Sequence, residues 1–254
     1  PPVQNLLRRE VTAYASKATG MQIQVERIDL RFPLNLLVRG VEVIQQPDTL
    51  LSLESLNVRV QAWPLLKGKV EVDEVTLSQV AVNSANLIEG MQIKGVLGRF
   101  FLQSHGVDLS NETAVVNRTE LSDTHIQLLM TDTTTTPKDT TASAPVNWKV
   151  NLHQLKLKNV SFGMKLPADS MKMAAYIGEA TIDDAKADLK NQFYGLKQFL
   201  LSGASASYDT GEAQPSEGFD ASHMAVRNIR IGLDSLLYEG RNMNAVIREI
   251  TMEE

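Results

Sequence analysis

One eight-residue pattern constrains this chain more than any other feature: apolar-polar-apolar-polar-polar-apolar-polar-apolar. Strict copies are Ile23-Val25-Ile28-Leu30, Leu51-Leu53-Leu56-Val58, Val70-Val72-Val75-Leu77, Val150-Leu152-Leu155-Leu157, Leu155-Leu157-Val160-Phe162 and Ala180-Ile182-Ala185-Ala187. Val75-Leu77-Val80-Val82 and Ala245-Ile247-Ile250-Met252 are looser copies. At 43% hydrophobic content, chance supplies roughly one strict copy in 254 residues, against the six present. Spacing by two marks a half-buried strand. The central spacing by three moves the later apolar residues to the other face, unless a β-bulge absorbs one residue and bends the strand. The pattern therefore predicts bent strands that each keep one apolar face, in a curved, mainly antiparallel sheet with an apolar concave surface. The bends are expected at Glu26-Arg27, Glu54-Ser55, Asp73-Glu74 and His153-Gln154.

The bulk properties narrow the function classes. A chain of this length supports a sizeable fold in one or two domains. A net charge of -5 and a pI near 5.5 provide no global basic field for a phosphate backbone, which argues against a nucleic-acid partner. With no cysteine, disulfides, thiol nucleophiles and thiolate metal sites are excluded. No apolar run reaches the ~20 residues of a membrane span. The chain opens at Pro1-Pro2 without Met, so an upstream segment is expected to precede it.

Along the chain, residues 3–18 read as a helix with Val3, Leu7, Val11, Tyr14 and Ala18 on one face, started by the prolines and stopped by Gly20. It is expected to cap one end of the sheet. The first β segment runs over 21–130, with turns at Pro33-Leu34-Asn35, Gln46-Pro47-Asp48 and Lys67-Gly68-Lys69. Residues 87–104 are ambiguous between helix and strand. The Thr-rich stretch 131–147 has little to bury and is expected to be a disordered loop. A second β segment occupies 148–254 and is expected to continue beyond the last residue given. Within it, 196–208 reads as strand rather than helix, because Gly195 and Gly203 weaken a helix there.

The residues offer no catalytic constellation. His105, His125, His153 and His223 lie apart, with no ligand spacing and no His-Glu-x-x-His helix. The acid pairs Asp73-Glu74 and Asp183-Asp184 fill the polar gap of the pattern, where solvent-side residues belong. Serines lack a Gly-x-Ser-x-Gly elbow. Asn111, Asn117 and Asn159 each begin an Asn-x-Ser/Thr triplet, a match common by chance. The expectation is no catalytic residue, no metal and no cofactor.

Residues 3–83 resemble the N-terminal region of the AsmA-like superfamily, most closely its TamB (translocation and assembly module) branch. The resemblance rests on several motifs in order: a short helix ending in Gly20, the strand Ile23–Leu30, Leu34-Asn-Leu36, Gly40-Val-Glu-Val43, Asp48–Leu51 and Leu53–Val58. The most specific part is Trp63-Pro-Leu-Leu-Lys-Gly-Lys-Val-Glu-Val-Asp-Glu-Val75. Segments 148–162 and 178–208 resemble the family's repeated bent strands more diffusely. The resemblance implies a taco-like, repeating β-groove in the periplasm of a diderm bacterium, anchored in the inner membrane by a segment missing here. It implies a non-enzymatic role in cell-envelope biogenesis: passage of phospholipid to the outer membrane, assembly of outer-membrane proteins beside a barrel partner, or both. The groove is expected to be lined by Ile23, Val25, Ile28, Leu30, Leu53, Leu56, Val58, Val72, Val75 and Leu77, with phospholipid acyl chains as the partner. The alternative is a structural or partner-docking β module with a closed core.

Overall fold

The computed structural model describes residues 20–32, 34–61, 63, 71–85, 87–88, 90–108, 111–130, 147–167, 170–211, 220 and 222–253, with Arg9, Thr12, Ala13, Ser16 and Lys17. The described chain is mainly β. Its strands are β1 (Gln22–Arg31), β2 (Asn35–Gln45), β3 (Asp48–Val60), β4 (Val72–Asn83), β5 (Met91–Asp108) and β6 (Thr113–Met130). They continue as β7 (Lys149–Leu166), β8 (Met171–Asp188), β9 (Phe193–Leu196), β10 (Gln198–Asp209), β11 (His223–Glu239) and β12 (Asn242–Glu253). All twelve form one sheet, and neighbours in the sheet follow chain order. The ambiguous stretch 87–104 enters β5, and 196–208 is strand as expected. β9 and β10 share one register against both β8 and β11, so they are a single strand interrupted at Lys197.

The expected antiparallel sheet needs one correction. β6 and β7 are parallel, with Thr113 opposite Lys149 and Leu129 opposite Lys165. The sheet is therefore mixed. The connecting stretch 131–148 exceeds the dozen or so residues that a parallel connection requires, whereas the antiparallel neighbours are joined by shorter connections, the longest being 210–222. The expected first and second β segments meet along this ladder in one continuous sheet.

The expected bends also take a different form. At Glu26 the β1–β2 ladder skips one residue on each strand: Val25 faces Val41, Arg27 faces Arg39, and the register is unchanged. Glu54 opposite Gln79, Gly98 opposite Asp123, Asp123 beside Asn159 and Asn159 opposite Gly178 repeat this two-sided skip. A bulge adds a residue to one strand only. Here every strand from β1 to β8 carries its interruption at the same level, so a line of interruptions crosses the sheet without shifting it. A second line passes through Asn117, His153, Asp184 and Lys197. Of the four expected bend sites, only Asp73 is a one-sided bulge, between Arg59 and Val60 of its partner.

The first line follows strand direction. Gly40 (φ 58°), Gln79 (φ 49°), Asp123 (φ 51°), Asn159 (φ 53°) and Gly203 (φ 61°) are left-handed, and β2, β4, β6, β7 and β10 all run the same way. The opposing strands place Glu26, Glu54, Gly98 and Gly178 there without a left-handed φ. Gly, Asn and Asp tolerate that region best. The polar gap of the sequence pattern thus coincides with the backbone break.

The sheet has a thin core. Ile28, Leu50, Leu53, Ala114, Val116, Ala180 and Ala204 are the buried apolar residues, and among the described residues no large side chain is fully buried. At the N-terminus, Arg9, Thr12, Ala13, Ser16 and Lys17 are helical. Gly20 N–H donates to Ser16 O at 3.0 Å, and Ile23 N–H donates to Ser16 Oγ at 3.0 Å, which ties this turn to the start of β1. The expected cap face of Val3, Leu7, Val11, Tyr14 and Ala18 lies outside the described residues. So do the Lys67-Gly68-Lys69 turn and residues 131–146 of the Thr-rich stretch.

Candidate functional site

The ladders assemble the apolar positions into rows that cross the sheet. Ile28, Val38, Leu56, Leu77, Phe100, Leu121, Leu157, Ala180, Leu201, Ile231 and Ile250 face one another in turn over eleven strands. Two residues further along, Leu30, Leu36, Val58, Val75, Leu102, Thr119, Leu155, Ile182, Phe199, Leu233 and Ile247 form a second row. The pleat places these two rows on one face. Across the first line of interruptions lies a third row, from Val25 through Val41, Leu53, Val80, Leu97, Thr124 and Val160 to Ile177. A fourth runs from Ile23 through Val43, Leu51 and Val82 to Phe162 and Val226.

All ten residues expected to line a groove lie in registered rows. Ile28, Leu56 and Leu77 share the first row, and Leu30, Val58 and Val75 the second. Val25 and Leu53 share the third, Ile23 is in the fourth, and Val72 faces Val60 beyond the second. Ile28 and Leu53 are buried, Leu30 is 54% exposed, and the other seven are half-buried. The ten cover only β1, β3 and β4. The continuation through β5–β11 carries the same signal in Leu155–Phe162 and Ala180–Ala187. β2 departs from the strict pattern at Leu37, an apolar residue in a polar position, and carries Gly40 in its gap.

Three of the open concavities among the described residues lie elsewhere on the sheet, and none of the ten lines them. Two, of about 750 and 430 Å³, adjoin near the Met130 end of β6 and share Gln127, Gly163, Ala174, Ser207 and Ala225, which face one another in register. The third, of about 940 Å³, lies at the opposite end beside His153, Asp184 and Lys197.

Those three residues form a polar cluster on the second line of interruptions. Lys197 Nζ donates to Asp184 Oδ2 at 2.6 Å, and His153 Nδ1 lies 3.0 Å from Asp184 Oδ1. The Lys197 hydrogen bond, followed by that of His153, lowers the Asp184 pKa from 3.8 to about 2. The cluster is exposed and joins three strands. His125 Nδ1 lies 2.7 Å from Ser161 Oγ on the neighbouring strand, also exposed. Among the described residues, no ion pair brings a carboxylate to His125. His223 sits between Asp220 and Asp209, at 2.8 and 3.5 Å. No group of three or more His, Asp or Glu among the described residues is placed to hold a metal ion. No described helix is long and apolar enough to cross a membrane.

No protein-family model matches the chain, and a search of curated proteins returns no significant relative.

Proposed function

We propose that this chain is a non-enzymatic, periplasmic segment of an inner-membrane-anchored envelope-biogenesis protein of the AsmA-like superfamily, nearest its TamB branch. In this reading the aligned interruptions curve the sheet into a groove. The apolar rows on both sides of the first line share its concave face and carry phospholipid acyl chains between the membranes. Support for outer-membrane protein assembly beside a barrel partner is the related role.

The observation that carries this reading is the continuity of the rows. An acyl chain in water costs about 0.8 kcal/mol per exposed CH₂. A chain moving across the strands meets apolar side chains, aliphatic with Phe100, Phe199 and Phe162 among them, and the Thr119 and Thr124 hydroxyls interrupt the rows. The closed-core alternative is less well supported, because none of the large apolar side chains described is fully buried.

Photo-crosslinking in cells tests the reading directly. A photoreactive residue at Val58, Val75 or Leu77 is expected to capture lipid, whereas Asn57 and Thr76, which face each other between these rows, are expected not to. Native mass spectrometry of detergent-free protein is expected to show bound phospholipid. Adducts at none of the row positions, with no co-purified lipid, would leave the structural module as the better account.

A further inference from the structure

We propose that the hollow of about 750 Å³ near the Met130 end of β6 selects a phospholipid with a net anionic headgroup. Lys165 and Lys172 take the headgroup phosphate, and Met164, Met173 and Met224 take the acyl chains. The proposal rests on the acyl-chain reading above and adds selection by charge, favouring phosphatidylglycerol-like lipids over zwitterionic ones.

The apolar half of the hollow is a fifth row. Ile93, Leu128, Met164, Met173, Tyr208 and Met224 face one another in turn over β5–β8, β10 and β11. Each of these strands is paired on both edges. The row lies two residues beyond the fourth, past Phe162 and Val226, so the pleat sets it on the same face. All of its members except Ile93 line the hollow. Met173 and Met224 are each 39% exposed. Unbranched thioether side chains adapt to acyl chains of varied shape.

The charged half is a facing pair of lysines. Lys165 stands opposite Lys172, one rung before the end of the β7–β8 ladder, and both line the hollow. Like charges directly opposite are unfavourable. Elsewhere the same ladder sets lysine against carboxylate, with Lys149 opposite Asp188 and Lys158 opposite Glu179. Lys165, Lys172 and Lys94, the third lysine of the lining, make no ion pair among the described residues. The lining carboxylate Asp209 also faces Lys172, but its Oδ1 accepts Gly211 N–H at 2.7 Å and lies 3.5 Å from His223 Nε2. A phosphate between Lys165 and Lys172 relieves their repulsion with charge-assisted hydrogen bonds. Lysine stems cover apolar surface while the ammonium stays at the rim. A zwitterionic headgroup brings its own cation to the same place and gains less.

NMR of methyl-labelled methionines tests this, with the chain titrated by short-chain phosphatidylglycerol below its micelle concentration, by the matched phosphatidylcholine, and by inorganic phosphate. Phosphatidylglycerol is expected to shift the Met164, Met173 and Met224 methyls and to bind roughly fivefold or more tighter than phosphatidylcholine. Lys165→Gln/Lys172→Gln is expected to erase that preference without weakening phosphatidylcholine binding. Lys165→Arg/Lys172→Arg is expected to keep it, as is Lys158→Gln, which removes a lysine of the same ladder outside the hollow. Circular dichroism is expected to show each variant folded. Equal affinity for the two lipids, or a preference that survives the double glutamine substitution or falls with Lys158→Gln, overturns the headgroup assignment and leaves the acyl-chain reading standing. Inorganic phosphate that competes at the same concentration without moving these methyls overturns it in favour of a free-phosphate site. Binding of neither lipid at any methionine removes both readings.

Discussion

Gln79 stands out among the residues on the first line of interruptions. The other left-handed positions on strands of its direction hold glycine, asparagine or aspartate, whereas Gln79 adopts φ 49° with a longer side chain. A left-handed φ costs an ordinary residue about 1–2 kcal/mol. Gln79→Gly is therefore expected to raise stability by up to about 1 kcal/mol, read as a higher urea midpoint at unchanged slope. Asn159→Val is expected to lower it by about 1–3 kcal/mol, because a β-branched residue is forced into the same region and the 2.6 Å bond from Asn159 Nδ2 to Asp123 Oδ1 is lost. On the second line, Asp184 holds a pKa of about 2, below its ordinary 3.8. A carboxyl with a depressed folded pKa contributes stability above its unfolded pKa and loses it as pH falls toward the folded value. Lys197 is the largest cause, so Lys197→Ala is expected to move the Asp184 titration, followed by NMR, up toward 3.8. A titration that stays near 2 would remove that assignment.

At the scale of the strands, the interruptions impose close approach as well as unusual torsions. A Cβ on Gly178 would lie 2.9 Å from Gly203 O, and one on Gly98 would lie 2.7 Å from Asp123 Cβ. Gly163, away from the line, has its nearest neighbour at 3.9 Å. Gly178→Val is expected to destabilise by about 1–3 kcal/mol, while Gly163→Ala is expected to stay within about 0.5 kcal/mol, both read by denaturant melts. Much of this was legible in the sequence. The apolar spacing identified strands, and the polar dipeptides at Glu26, Glu54, Asp73 and His153 marked the levels where the ladders break. The two-sided form of the break was not legible, because it depends on which residues of neighbouring strands share a level. The spacing of Leu87, Ile88, Met91 and Phe100-Phe101 made this stretch ambiguous, while Gly95 and Gly98 pointed to strand; the close approach of Gly98 to Asp123 on the next strand was not legible for the same reason. The parallel β6–β7 pair was hidden because a long polar connection reads alike whether it turns back or crosses over.

The whole molecule is a sheet whose apolar rows are only half covered, and the energetics should show it. Leu157, in the row that spans eleven strands, is half-buried. Leu157→Ala is expected to cost less than about 2 kcal/mol, below the ~2–5 kcal/mol typical of a closed core. A cost near 5 kcal/mol, measured by urea unfolding, would mean that the row is covered. The ten residues expected from the sequence sample the rows on three strands, and the ladders extend the rows to the rest. The same repetitiveness burdens folding. If β7 slid five residues along β8, Leu157 would meet Ala185, Val160 would meet Ile182, and Lys158 would fall beside Asp184. The mispaired ladder would keep apolar contacts at Leu155, Leu157, Val160 and Phe162 and would place Lys158 beside Asp184 in exchange for the native Lys149–Asp188 ion pair. It would also lose the Val150–Ala187 and Leu152–Ala185 pairings and the match of left-handed Asn159 to Gly178 and of His153 to Asp184. Hydrophobicity alone separates these two pairings poorly, so the interruptions serve as alignment marks that steer refolding away from kinetic traps in which the strands are correctly formed but wrongly matched.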